Sequence, residues 1–158
     1  MADKSILWIE NNKWLVQPIL NELEKKRSTD DKNYLIQYHF YIDDAMEFIT
    51  KDSPTLDLII TNVWDGDNFI KEYLPKLKKL NELYKQTPLL ILSEFVNNSI
   101  YSKKIMGESE HTQILKRELK HFKNVYFKNF FSNILNDKSE LQHPYHDVLV
   151  AIDDLLKK

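Results

Sequence analysis

Five residues far apart in this chain have side chains and positions that could form one site: Glu10, Asn11, Asn62, Ser93 and Lys128. Each lies at or directly after the end of an apolar run that predicts a buried strand. Among these positions, the residue type at position 62 matters most. A carboxylate there could act as a nucleophile, whereas the amide of Asn62 is a very poor one because its nitrogen lone pair is delocalised.

The central run, residues 55–66, determines which fold we expect. Its apolar core, Leu58–Ile60, lies between Pro54 and Gly66 and is too short for a typical helix. Such a run is typical of a strand that is buried on both faces, and strands of this kind belong to parallel sheets covered by helices. In those sheets, function gathers at the carboxyl ends of the strands. We therefore expect the five residues to meet at that edge.

The rest of the chain alternates between predicted strands and predicted helices. Short apolar or aromatic runs indicate four further strands, the last closed by Lys128 and Asn129: Ser5–Ile9, Tyr34–Tyr41, Pro88–Ser93 and Val125–Phe127. Apolar residues at helical spacing predict the helices between the strands, and Pro144 opens a last helix. This alternation is typical of an α/β fold with a doubly wound parallel sheet.

Prolines and polar stretches leave the helix boundaries less certain than the strands. The last turn of the first helix is predicted at Lys25–Arg27, and residues 28–32 are predicted to form a polar loop. Pro18 either kinks this helix or marks its first turn. A long helix is predicted over residues 69–86, with Pro75 as a candidate kink.

The composition limits the function classes. The 158 residues predict one domain, 1–158, without a separate output domain. Charged residues make up 29% and the net charge is −2, which predicts neither nucleic-acid nor membrane binding. The absence of cysteine excludes disulfides and thiolate chemistry, and two glycines leave no glycine-rich phosphate loop. Because we find neither a signal peptide nor a membrane span, we expect a cytoplasmic protein.

The order and spacing of the strand ends resemble the receiver domain of two-component response regulators over nearly the whole chain. Ile6–Asn11 resembles the first strand with its acidic pair, and Asp57–Asn62 resembles the strand that carries the phospho-accepting aspartate. Pro88–Ser93 resembles the strand that ends in the switch Ser/Thr, and residues 125–128 resemble the strand that ends in an invariant lysine. The resemblance implies a flavodoxin-like, five-stranded sheet in the order 2-1-3-4-5, with the first and last helices on one face.

The sequence departs from the receiver pattern where phosphoryl chemistry takes place. The resemblance places Asn62 at the phospho-acceptor position, and Asn11 has lost one charge of the acidic pair. Glu10 is then the one carboxylate where receivers have three, and Mg²⁺ affinity should fall steeply because this ion prefers hard, charged oxygen ligands. We therefore expect a degenerate receiver, or pseudo-receiver. Its vestigial phosphorylation pocket would consist of five residues: Glu10, Asn11, Asn62, Ser93 and Lys128.

Two alternatives remain open for these residues. Ser93 and Lys128 could be ordinary packing and hydrogen-bonding residues, with the lysine paired to Glu10. Alternatively, the protein could be an active phospho-switch or a metal-dependent enzyme that uses a non-standard acidic site formed by Glu10 and Asp65. An acidic turn that caps the next helix explains Asp65 more simply.

The function we expect is non-catalytic signalling through protein–protein interaction, with no enzymatic activity, no cofactor and no bound metal. Receivers commonly dimerise or bind targets on the side built by the fourth helix, the fifth strand and the last helix, so the resemblance implies a protein partner or a second copy there. The stretches 94–124 and 129–142 are longer than receivers usually need, and extra length in a compact domain is often functional. The interaction candidates are Trp64, Lys116, Arg117, Lys120 and Tyr145.

Overall fold

The fold is given by a computed structural model, which describes residues 3–10, 13–30, 33–63, 72–93, 116–120, 122, 124–129 and 145–157. Residues 13–15, 27–30, 62, 63, 93 and 129 are described by their backbone alone. The five strands of the sheet lie within these ranges. The sheet is therefore defined from one edge to the other.

A parallel sheet forms the centre of the fold. Its strands are β1 (Lys4–Ile9), β2 (Tyr34–His39), β3 (Leu58–Val63), β4 (Leu89–Ser93) and β5 (Val125–Asn129). They lie side by side in the order β2-β1-β3-β4-β5. The predicted α/β class, the five parallel strands and their order are confirmed.

The helices are α1 (Lys13–Asp30), α2 (Ile42–Asp52), α3 (Leu74–Leu83), α4 (residues 116–119) and α5 (His146–Leu156). One sequence prediction about them is wrong, and one of the two alternatives for Pro18 is excluded. The first helix continues to Asp30, so residues 28–30 are not a loop, and Pro18 lies inside the helix instead of in its first turn. Pro75 lies in the first turn of α3, and this turn directly follows two π-helical residues, Glu72 and Tyr73.

Strand alternation divides the apolar side chains between two cores, one on each face of the sheet. Helices α2, α3 and α4 cover one face, and its core includes Leu7, Ile59, Ile91, Ile49, Leu77 and Leu119. Helices α1 and α5 cover the other face, whose core includes Trp8, Ile60, Leu92, Ile19 and Ile152. This arrangement is the one that right-handed crossovers produce. Within the described ranges, no helix is both long and apolar enough to cross a membrane.

The two edge strands end at other residues than the sequence predicts. β5 continues through Lys128 and Asn129, which therefore extend the strand instead of closing it. β2 ends at His39, because Phe40 and Tyr41 form a bend that turns the chain into α2. Tyr41 is the N-cap residue of α2 and has extended backbone angles. Phe40 and Tyr41 are 46% and 63% exposed.

A polar cluster joins α1, β2 and α5 on one face of the sheet. The carboxylate of Asp153 accepts a hydrogen bond from Lys26 Nζ at 2.7 Å and another from the Tyr34 hydroxyl at 3.2 Å. Both bonds are partly buried, and bonds to an ionised group are stronger than neutral ones. The cluster therefore fixes the first residue of β2 against both helices.

Candidate functional site

The backbone register brings the predicted site positions together at the carboxyl edge of the sheet. Thr61 lies opposite both Ile9 and Ile91, so the next residue of β1, Glu10, lies beside Asn62. Asn62 lies opposite Leu92, which in turn lies opposite Lys128. One row further, Ser93 lies between Val63 and Asn129. Four of the five predicted positions thus occupy two adjacent rows of the sheet.

Glu10 is the most deeply buried charged residue of this edge, with 0% of its surface exposed. Its N–H donates to the carbonyl of His39 at 3.0 Å, and its own carbonyl accepts from the Tyr38 hydroxyl at 2.6 Å. Two bonds to β2 therefore fix the main chain at the point where β1 ends. The cost of burying an ionised carboxylate is large unless other groups compensate it, so this position is constrained.

A second buried polar pair lies next to Glu10. The Thr61 and Tyr73 hydroxyls form a hydrogen bond, and both residues are buried at the end of β3 and the start of α3. Burial raises the pKa of Tyr73, the bond to Thr61 lowers it less, and the negative charge of Glu10 raises it further. The pKa of Tyr38 is also raised, by burial first and by Glu10 second. Both tyrosines are therefore neutral hydroxyls within range of the Glu10 charge.

Lys128 does not form the ion pair with Glu10 that one sequence alternative assumed. The side chain of Lys128 is exposed, and among the described residues no salt bridge joins it to Glu10. Asn62 and Ser93 are described by backbone alone, and Asn11, Trp64 and Asp65 lie outside the described residues.

The predicted interaction side consists of α4, β5 and α5, and we call it the β5-side surface. Arg117 and Lys120 are exposed there. Lys116 lies over the ring of Phe127, with Nζ 5.3 Å from the centroid, which is a cation–π contact. Tyr145 is half-buried and packs against the core between the sheet, α1 and α5. Two of these four candidates are therefore engaged within the chain, and Arg117 and Lys120 project from it.

Metal-binding geometry is not found in the described part of the chain. No group of three or more His, Asp or Glu side chains in these ranges is placed to hold an ion. The acidic residue of the site, Glu10, lies below the surface beside tyrosine hydroxyls, which are weak ligands for a hard cation. A site that includes Asn11 or Asp65 would involve residues outside these ranges.

Sequence reasoning missed three residues that surround Glu10: Tyr38, Thr61 and Tyr73. The sequence predicts Tyr38 only as part of an aromatic strand, and Tyr73 only as an apolar residue of a long helix. Strand parity gives the missing signal for Thr61, because neighbouring residues of β3 face opposite sides of the sheet. Thr61 lies opposite Ile9 and Ile91, which belong to the core that α3 covers, and Tyr73 is the residue that precedes α3.

Comparisons with solved structures give the fold. No model of a protein family matches the chain, and no curated protein matches it. A response regulator receiver domain protein from Clostridium thermocellum is similar in structure, with a TM-score of 0.58 and 12% identity over 98% of this chain and 94% of that one. A pilus assembly-related protein from Burkholderia pseudomallei K96243 has a TM-score of 0.57 and 12% identity over 98% and 90%.

A third similar structure belongs to a much larger protein. The chain matches a lysine decarboxylase from Francisella novicida with a TM-score of 0.56 and 13% identity, over 98% of this chain and 17% of that chain. Identities at this level show a shared fold and nothing about chemistry. Together with the strand order, they confirm that the chain has the receiver-like, flavodoxin-like fold that the sequence predicts.

Proposed function

We propose that this chain is a non-catalytic, receiver-like signalling module of the pseudo-receiver kind, which acts in the cytoplasm by binding another protein. The observation that supports this most directly is the position of Asn62. Its backbone lies beside Glu10 at the carboxyl edge of β3, the place where such sheets carry their functional residues. In this proposal the chain has kept the receiver-like frame and does not use its chemistry.

The residue types at this edge argue against phosphoryl transfer. The amide of Asn62 is a very poor nucleophile, whereas the position requires an attacking oxygen with negative charge. Asn11 is also neutral, so Glu10 is the carboxylate that remains of the three that the resemblance leads one to expect. Mg²⁺ keeps most of its waters and binds through exposed carboxylate oxygens, but Glu10 is fully buried. A weak or absent metal site follows from these features.

The first test treats the protein with acetyl phosphate and Mg²⁺ and then measures the intact mass. We expect no added phosphoryl group, and Mg²⁺ titration followed by calorimetry should show weak or no binding. The variant Asn62→Asp should regain little phosphorylation, because Asn11 still weakens the metal site. The double variant Asn11→Asp with Asn62→Asp has three carboxylates at these positions, together with Glu10, and should regain more phosphorylation than Asn62→Asp alone.

The control for this experiment is a phosphorylation-competent receiver domain treated in the same way. A stable phosphoryl group on the unmodified protein, for example at Asp65, would contradict the proposal and support the active phospho-switch. Catalysis of phosphoryl or hydrolytic chemistry that depends on Glu10 and Asp65 would support the metal-dependent enzyme instead.

The proposed partner surface is the β5-side surface. Arg117 and Lys120 are three residues apart at the end of α4, so their charges project in a similar direction. Val150, on α5, is an exposed apolar residue at 42%. Exposed cations suit a partner with an acidic rim, because charge complementarity steers association.

The second test reverses two charges in the variant Arg117→Glu with Lys120→Glu. We expect the amount of partner recovered by affinity capture from the source cells to fall at least about tenfold, with the melting temperature nearly unchanged because both side chains are exposed. Adding Lys116→Glu should lower stability as well, by about 0.5–1 kcal/mol, because it removes the contact with Phe127.

The matched control is Lys51→Glu with Lys79→Glu, which makes the same change in net charge on other exposed helix positions. This control should keep its partner. Suppose that the unmodified protein, the Arg117/Lys120 variant and the Lys51/Lys79 control recover equal amounts of partner, while Trp64→Ala recovers none. The interface would then lie at the carboxyl edge of the sheet and not on the β5-side surface.

A further inference from the structure

The outer side of β2 presents main-chain hydrogen-bonding groups at the edge of the sheet. The carbonyl of Asn33 accepts from Lys4 N and the carbonyl of His39 accepts from Glu10 N, each at 3.0 Å. The main-chain N–H and C=O groups of successive residues point to alternate sides of a strand. In β2 those of the odd-numbered residues therefore point towards β1, and those of the even-numbered residues point away from the sheet. In the described ranges, β1 is the one strand that pairs with β2.

This edge lacks the features that normally prevent strand pairing between molecules. Natural edge strands are usually protected by charged side chains, proline or bulges. From Asn33 to Ile42 the sequence contains no Asp, Glu, Lys, Arg, Gly or Pro. Leu35 is 51% exposed in the middle of this segment. β2 and the residues beside it therefore contain no Asp, Glu, Lys or Arg, and β2 carries an exposed apolar side chain, Leu35.

We propose that β2 pairs in antiparallel orientation with β2 of a second copy of this chain, around a two-fold axis through Ile36. In this register Ile36 lies opposite the partner's Ile36, and Tyr34 lies opposite the partner's Tyr38. In this register the outward N–H and C=O groups of Ile36 bond to those of the partner's Ile36. The two sheets become one continuous sheet of ten strands, twice the five of each copy.

The side chains fit this register on both faces. On the face of α1 and α5, Tyr34 lies beside the partner's Tyr38, and aromatic pairs are among the favourable cross-strand pairs. Their hydroxyls are already held, by Asp153 and by the carbonyl of Glu10, so little conformational freedom is lost on pairing. On the other face, Leu35 lies opposite the partner's Gln37. A groove of about 310 Å³, lined by Leu35, Gln37 and Phe48 among others, borders that contact.

The absence of charge is the reason to infer a second copy instead of a different protein. A strand without charged residues cannot select a partner by charge complementarity. The same strand is suited to itself, because two-fold pairing then brings no like charges into opposition. The β2 dimer is independent of the proposed signalling function, since it requires neither the carboxyl edge nor the β5-side surface.

The first experiment measures the mass in solution by sedimentation over a concentration series. We expect a monomer–dimer equilibrium that the variant Leu35→Lys shifts to monomer at every concentration, with the melting temperature that the unmodified protein has at concentrations where it is monomeric. The matched control is Leu83→Lys, which places the same charge on another exposed leucine, at 56%, in α3. It should dimerise like the unmodified protein. A monomer up to about 1 mM, or an unaffected dimer in Leu35→Lys, would overturn the proposal.

The second experiment determines the register by cysteine cross-linking, which is clean because the chain has no cysteine. Leu35 and the partner's Gln37 form a non-hydrogen-bonded pair with Cα atoms about 4.5 Å apart, within disulfide range. We expect an equimolar mixture of Leu35→Cys and Gln37→Cys to form covalent dimers. Each variant alone should not, because its two cysteines lie diagonally, about 7–8 Å apart. Efficient cross-linking of either variant alone would refute this register.

Discussion

Replacing Leu77 or Ile152 by alanine is expected to destabilise the protein by about 2–5 kcal/mol in each case. Both side chains are fully buried, Leu77 in the core under α3 and Ile152 in the core under α5. Truncation removes apolar contacts and leaves a cavity that the packed surroundings fill only in part. For a domain of this length, each kcal/mol lowers the melting temperature by roughly 2–4 °C.

The double variant Leu77→Ala with Ile152→Ala tests the two-core architecture. Because the sheet separates the cores, the two losses should add within about 0.3–0.5 kcal/mol. Their sum approaches the total stability of an ordinary domain, about 5–15 kcal/mol, so part of the population should be unfolded. Leu83→Ala is the control, since its exposed side chain should change stability by no more than about 0.5 kcal/mol. A strongly non-additive double variant would contradict two separate cores.

The sheet could be predicted from the sequence because its strands are buried on two faces. Such strands appear as short apolar runs between turn residues, and Leu58, Leu89 and Val125 begin strands at the predicted positions. The helix boundaries were harder to predict. Residues 28–30 are polar but include no Gly or Pro, so no residue there stops α1, and helix propensity alone is a weak guide.

The positions at the site were predictable, but the contacts around them were not. Strand ends and register follow from the pattern of apolar runs, which is why Asn62 could be placed near Glu10. The bond between Thr61 and Tyr73 joins residues twelve apart in the sequence, and no periodic pattern encodes it. The run of three apolar residues at Val125–Phe127 also did not reveal that β5 continues to Asn129, nor that the side chain of Lys128 is exposed.

The two proposed interfaces lie at opposite edges of one sheet. β2 forms one edge and β5 the other, with three strands between them. A dimer through β2 therefore leaves both β5-side surfaces at the far ends of the continuous sheet. Such a dimer would present two partner sites that point away from each other, and binding of a dimeric partner would gain from the higher effective concentration.

The variant Tyr73→Phe is expected to lower stability by about 1–3 kcal/mol at neutral pH. It removes the hydroxyl that bonds to Thr61 and leaves the Thr61 side chain in a fully buried position. A buried polar group that loses its partner costs more than the bond itself contributes. The double variant Thr61→Val with Tyr73→Phe removes both polar groups and should recover part of the loss, with a coupling energy of about 0.5–3 kcal/mol. Simple additivity would show that the two hydroxyls do not interact.

The stability difference between the unmodified protein and Tyr73→Phe should also shrink at alkaline pH. Burial and Glu10 raise the pKa of Tyr73 in the folded state, whereas in the unfolded state it stays near the ordinary value of about 10. The tyrosine therefore contributes its full stability below pH 10, and this is lost as the pH rises from there towards the folded-state pKa. The loss should be up to about 1.4 kcal/mol per pH unit. Tyr38 and Tyr84, whose pKa values are also raised, titrate in both proteins and so cancel in the difference. Denaturant unfolding of both proteins at a series of pH values above 9 measures this difference in unfolding free energy. A difference that stays constant to about pH 11 would show that Tyr73 has an ordinary pKa in the folded protein.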